Sequence, residues 1–181
     1  MKEESIDSLH KAVERRKPLP LRVLFVCLGN ICRSPAAEGI LWQMAEERGM
    51  ADYVDVDSCG TYSGHRGDLP DRRMRVHATR RGYDLTHRAR PVRERDFGDF
   101  DIIIGMDDAN CDDLRRLAPL IEDERKVVPM IGFCRAYTAD DCVPDPYYEG
   151  AEGFEKVLDL LEDGCRTILD EVEKEMRGAS A

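Results

Sequence analysis

Nowhere in the 181 residues does an apolar run approach the roughly 20 needed to span a bilayer, and the first residues lack the apolar core of a secretory signal. Both absences lead us to expect a cytoplasmic protein with no membrane segment. No C-x-x-C pair is present and the four histidines are scattered, so neither a metal site nor any other cofactor is expected. The seven cysteines are odd in number and irregularly spaced, unlike a secreted disulfide scaffold, and read as reduced intracellular thiols. Positive charge is in deficit. A net charge of −10 argues against nucleic acid or an anionic membrane surface as partner. Internal repeats, low-complexity tracts and the G-x-x-x-x-G-K-[ST] pattern of a nucleotide-binding loop are absent as well.

What remains is enough for one domain with a full core, since 42% of the residues are apolar. One asymmetry stands out against the acidic average. Ten of the arginines fall between Arg66 and Arg95, as either a solvated helix face and loop or a basic shoulder beside a site for anionic substrates.

Along the chain, Ile6, Leu9 and Val13 recur at helical spacing before Pro18 and Pro20, so residues 1–20 are expected to be an N-terminal extension with a short helix. From Leu21 to residue 178, apolar runs alternate with helical patterns. Strands are predicted at Leu21–Val26, Tyr53–Asp57, Asp101–Gly105 and Lys126–Ile131. Helices are predicted at Ser34–Arg48, at Asp71–Arg81 with Gly82 as terminator, at Asp107–Leu117 and at Ala151–Met176. Strands separated by such helices imply an α/β domain: a four-stranded parallel sheet, doubly wound, with helices on both faces. Ligands bind such sheets where strands end and helices begin.

The first strand runs into Cys27-Leu28-Gly29-Asn30-Ile31-Cys32-Arg33-Ser34-Pro35. A Cys six residues before an Arg says little alone; here the pair lies between a buried strand and a helix start. Ser34 is expected as N-cap with Pro35 at the first helical position, and Gly29 and Asn30 can take positive φ. Such a turn aims successive N–H groups inward, making a nest that holds a phosphate's oxygens without a metal. Cys27 would lie at its base, where the amide dipoles and Arg33 favour a thiolate. Arg33 can grip two phosphate oxygens with its planar fork, and Ser34 can hydrogen-bond the sulfur.

These residues resemble the low-molecular-weight protein tyrosine phosphatases, whose hallmark is V-C-x-G-N-x-C-R-S-P. Further blocks match in order: Val56-Asp57-Ser58 with Gly60-Thr61, Gly67 with Pro70-Asp71, Thr86-His87-Arg88-Ala89-Arg90, Phe100-Asp101 through Met106-Asp107, and Asp145-Pro146-Tyr147-Tyr148. The resemblance implies the phosphotyrosine phosphatase I-like fold and hydrolysis of phosphotyrosine through a cysteinyl-phosphate. In that scheme Cys27 is the nucleophile, Arg33 the phosphate clamp and Asp145 the general acid and then base. Leu28, Gly29, Asn30, Ile31, Cys32 and Ser34 would form the phosphate loop, with Asn30, Ser58 and His87 in a supporting network. Tyr147 and Tyr148 are either packing aromatics or, as the resemblance implies, a cleft wall and phosphorylation sites. Cys32 is either a small buried filler or the partner of Cys27 in a reversible disulfide. The implied partners are phosphotyrosine-containing proteins, a tyrosine kinase among them, with phosphate and vanadate as inhibitors.

Two departures bear on substrate choice and partners. Gly64 stands where many relatives carry an aromatic residue, leaving Tyr62 or His65 to take its place, and most members lack the 20-residue extension. Three rival readings use the same scaffold. An arsenate reductase needs further thiols mid-chain, yet no cysteine lies between Cys59 and Cys111. An arginine phosphatase carries Thr where Ile31 stands. A non-catalytic phosphotyrosine-binding module would have lost Cys27, Arg33 or Asp145, and all three are present.

Overall fold

In a computed structural model, described here for residues 1–178, four parallel strands form one sheet in the order β2-β1-β3-β4. They are β1 (Leu21–Cys27), β2 (Val54–Gly60), β3 (Ile102–Gly105) and β4 (Val127–Pro129). Seven α-helices accompany them: α1 (Lys2–Arg16), α2 (Arg33–Glu47), α3 (Arg72–Arg80), α4 (Glu94–Asp99), α5 (Asp108–Leu117), α6 (Ile121–Glu124) and α7 (Ala151–Gly178).

The strands alternate their side chains between two cores because the pleat has period two. On one face Val23, Phe25, Ile102 and Ile104 pack against α1, α2 and α7. On the other, Leu24, Val26 and Ile103 meet Phe97 of α4 with Cys111 and Leu114 of α5. Helices therefore cover both faces, as the near-continuous apolar strands require. β1 lies centrally, registered with β2 by Val23↔Val56 and with β3 by Val23↔Ile102. The chain reverses its winding beside β1, so the C-terminal ends of β1 and β3 border the crevice where open α/β sheets take ligands.

α7 buries Phe154, Val157, Leu158, Leu161, Cys165, Ile168, Leu169 and Val172, a three-and-four spacing that forms one apolar stripe. α1 lays Leu9, Ala12 and Val13 against this helix and is further joined to it by His10–Glu171 at 3.0 Å and Lys17–Glu175 at 3.3 Å. Its first turn also fits tightly elsewhere: a Cβ at Gly132 would lie 2.0 Å from Ser5 Oγ.

Some boundaries depart from the sequence reading. The strand expected at Tyr53–Asp57 continues to Gly60, because Ser58, Cys59 and Gly60 pair with Phe25, Val26 and Cys27. The last strand stops at Pro129 and a 3-10 turn takes Met130–Phe133. α4 and α6 had no prediction. Both are short, and α4 is held at its start by the Asp96 carboxylate, which accepts from the Arg93 amide at 2.7 Å, a bond that the usual Ser/Thr signature does not signal.

Candidate active site

A cleft of about 240 Å³ opens at the C-terminal end of β1. Its floor is the turn from Cys27 to Arg33, with Leu28, Gly29, Ile31 and Cys32 lining it. Among the described residues, Asn30 alone of the non-glycine residues has positive φ, at 54°, a conformation Asn tolerates. Gly29 was expected to share that conformation but does not. Its requirement is proximity instead, since a Cβ there would come within 3.1 Å of the His65 ring.

Ser34 is not the helix cap. α2 starts one residue earlier, at Arg33, with Cys32 in the cap position and no side chain capping the first turn. The amides of residues 28–32 also find no main-chain acceptor among the described residues. Uncapped amides at a helix N-terminus are the donors a bound anion requires. Released from capping, the Ser34 hydroxyl turns back to within 3.0 Å of Cys27 Sγ and 3.2 Å of the Cys59 carbonyl.

Behind the turn the hydrogen bonds form a chain centred on Asn30. Asn30 donates from Nδ2 to Ser34 Oγ and to Ser58 Oγ, 2.9 Å each. Its Oδ1 accepts from the Arg90 amide at 2.9 Å, so the His87 Nε2 lying 3.0 Å from the same oxygen must donate as well. The other ring nitrogen of His87 faces Glu38 at 3.0 Å and Asp57 at 3.7 Å. Ser58 donates to Glu38 at 2.6 Å, and Arg90 to Asp57 at 2.7 Å. Glu38, Asp57 and His87 form the one cluster among the described residues whose donor atoms could surround a cation, and all three are engaged in these bonds.

Asn30 and Ser34 thus support the turn from behind rather than facing the cleft, together with Ser58 and His87. Gly60 closes this support. A Cβ there would stand 2.5 Å from Leu28 O and 3.0 Å from Asn30 N, so only glycine lets β2 run so close beneath the turn.

Arg33 is 2% exposed. Its Nη1 donates to Asp107 at 2.5 Å and to the Val143 carbonyl at 3.0 Å, while Nη2 reaches Asp145 at 3.3 Å. Burial works against its charge, but the neighbouring Cys27, Asp107 and Asp145 outweigh that and hold its pKa above the ordinary value. Asp107 follows β3 and caps α5 through Asn110 N, 2.8 Å away, a role the sequence reading did not single out.

Asp145 is half-exposed at the mouth, beside Tyr147 and Tyr148, whose rings meet edge to face at 5.0 Å. Tyr62 and His65 also line the cleft, and a Cβ on Gly64 would fall 2.1 Å from the Tyr62 hydroxyl. The departure at Gly64 therefore leaves room for the Tyr62 ring.

All seven cysteines are unpaired. Burial pushes the Cys59 and Cys165 thiols well up, Cys111 to about 11 and Cys134 to about 12, and it raises Cys32 and Cys142 too. None of these six is disposed to act as a thiolate. Within the arginine-rich stretch, three of the ten side chains are paired with carboxylates. Arg73 is paired with Asp71, Arg81 with Glu155, Asp159 and Glu162, and Arg90 with Asp57 and Asp96.

A parallel α/β sheet with a Cys-to-Arg anion turn after its first strand defines a cysteine-dependent phosphatase architecture. Residues 22–178 match the family model described as low molecular weight phosphotyrosine protein phosphatase. A low molecular weight protein-tyrosine-phosphatase of Streptomyces coelicolor is 38% identical over 161 residues, covering 88% of this chain and 98% of its own. A crystal structure of the protein tyrosine phosphatase of Entamoeba histolytica superposes with a TM-score of 0.82 at 40% identity, over 85% of this chain and 97% of that one. The structure of a Drosophila arginine phosphatase superposes at 0.77 with 31% identity, over 83% and 96%. The chain belongs to the low molecular weight phosphotyrosine protein phosphatase family.

Proposed function

We propose that residues 21–178 hydrolyse phosphotyrosine in proteins through a cysteinyl-phosphate, with residues 1–20 as an extension bound to the domain through α1. The observation that carries this reading is the convergence of Cys27, Arg33 and Asp145 on one cleft above uncapped main-chain amides. In the first step Cys27 Sγ attacks phosphorus, the bond to the phenolic oxygen breaks, and that oxygen takes a proton from Asp145. Three phosphoryl oxygens lie among the turn's amides and the Arg33 fork, which meet the charge without a metal ion. In the second step water attacks phosphorus, Asp145 takes its proton, and Cys27 leaves as a thiolate with Ser34 as hydrogen-bond donor. The products are the free tyrosine and inorganic phosphate.

The aromatic rings that line the cleft, Tyr62 with His65 and Tyr147 with Tyr148, favour a flat phenyl ester, and the apolar Ile31 lining it with them disfavours a guanidinium phosphate. Seven unpaired cysteines support a reducing, cytoplasmic setting. Hydrolysis of p-nitrophenyl phosphate in the presence of EDTA tests the reading. Turnover by the wild type, its abolition in Cys27→Ser and inhibition by vanadate are expected. An inactive wild type that still binds phosphotyrosine peptides would make the chain a binding module.

A further inference from the structure

Between the 3-10 turn ending at Phe133 and the start of α7 at Ala151, the chain forms no helix or strand, yet this segment carries Asp145. Upstream of Asp145 it is tied to the sheet by the Val143 amide on Met106 O at 2.9 Å and by Arg33 on Val143 O. Downstream, over residues 146–150, one hydrogen bond from outside residues 145–153 reaches the main chain among the described residues. It comes from Arg73 Nη1 to the Tyr147 carbonyl, at 3.0 Å.

Arg73 uses the rest of its fork on Asp71, with Nε 3.0 Å from Oδ1 and Nη2 2.9 Å from Oδ2. Its guanidinium also lies over two rings, 5.3 Å from the centroid of Tyr147 and 4.9 Å from that of the buried Phe154 at the start of α7. Asp71 in turn caps α3 and donates its amide to the Ile31 carbonyl of the phosphate turn at 2.7 Å. At the far end, the Tyr147 amide donates to Asp145 Oδ1 at 3.1 Å. A continuous path thus runs from Ile31 through Asp71, Arg73 and Tyr147 to the Asp145 carboxylate.

We propose that Arg73 is a positioning residue for proton transfer: it holds the Asp145 segment in register with the phosphate turn. The inference rests on the reading of Asp145 as proton donor. A planar fork can bind a carboxylate edge-on, reach a carbonyl and lie over aromatic rings at once, whereas an ammonium group can do only one of these well. The Arg73 side chain is 48% exposed, so its effect lies in geometry rather than in a buried charge.

The path makes a prediction that a purely structural role does not. Proton donation matters most when the leaving oxygen is basic. The test compares kcat/KM for phenyl phosphate and p-nitrophenyl phosphate, whose phenols differ in acidity, in wild type, Arg73→Met, Arg73→Lys and Asp145→Asn. Vanadate affinity reports an intact phosphate turn in each protein. Asp145→Asn is expected to lose far more on phenyl phosphate, within the ~10²–10⁴-fold range of general acid catalysis. Arg73→Met is expected to lose about tenfold more on phenyl phosphate than on p-nitrophenyl phosphate while binding vanadate normally, with Arg73→Lys between it and the wild type. Equal losses on both esters in the two Arg73 variants, beside a selective loss in Asp145→Asn, would overturn the role of Arg73 alone. Equal losses in Asp145→Asn would instead overturn the proton-donor reading and the inference with it.

Discussion

The Ser34 hydroxyl lies 3.0 Å from Cys27 Sγ and 3.2 Å from the Cys59 carbonyl, and it has one proton for these two acceptors. Asn30 already donates to its oxygen, so that proton is free to move toward whichever acceptor carries more negative charge. A sulfur becoming a thiolate as phosphate departs is the stronger acceptor. A charged hydrogen bond of about 1.5–3 kcal/mol is at stake. Replacing Ser34 by Ala is expected to lower kcat roughly 10–100-fold with KM falling in parallel, so that kcat/KM is kept, and to enlarge the pre-steady-state burst as the second step slows. Stopped-flow hydrolysis of p-nitrophenyl phosphate measures both, and an unchanged kcat would exclude Ser34 from the second step.

Gly60 marks where β2 passes beneath the phosphate turn, with Leu28 O only 2.5 Å from the position a Cβ would take. The obstructing atoms are main-chain and cannot rotate away. Gly60→Ala is expected to cost about 1–3 kcal/mol of stability, as overpacking does, and to weaken phosphate binding by displacing the turn. Urea unfolding and competition by inorganic phosphate report the two effects, and wild-type values for both would show that the turn is not set from below.

Glu171 joins α7 to α1 through His10 and to Arg135 and Lys174. Burial pushes its carboxyl up, but hydrogen bonds from Lys174, His10 and Arg135 outweigh that and leave it at about 2, below the ordinary value of 4.5. A carboxyl depressed in the folded state adds stability above its unfolded value, and that stability is lost as pH falls through the folded one. Wild type should therefore exceed Glu171→Gln by on the order of 1–2 kcal/mol at pH 7, discounted for the exposed partners. The gap should close between about pH 5 and pH 2. Chemical denaturation across that range checks this, and a gap independent of pH would mean that packing, not charge, joins the helices.

Much of the fold was legible because its elements are long or strongly patterned. The apolar β1 and β3 and the stripe of α7 carry period and length together, and their alternation specified a parallel sheet. The phosphate turn was legible from one continuous stretch, Cys27 to Pro35. Its local chemistry was read less well. Ser34 looks like a cap from spacing alone, but the sulfur of Cys27, seven residues earlier, competes for its hydroxyl. Asp107, Glu38 and Arg90 escaped notice as site residues because their partners lie 20 to 74 positions away, and nothing local reveals such pairing. Arg73 was visible only as one of ten clustered arginines; its role depends on where the segment after Val143 folds back.

The most direct measurement of the central claim is the mass of the intact protein after millisecond acid quench during turnover of p-nitrophenyl phosphate. Wild type and Ser34→Ala should each carry one added phosphoryl group, located by peptide mapping to Cys27, and Cys27→Ser should carry none. Turnover with no phosphoryl group on Cys27, or an equal adduct in Cys27→Ser, would contradict the cysteinyl-phosphate route.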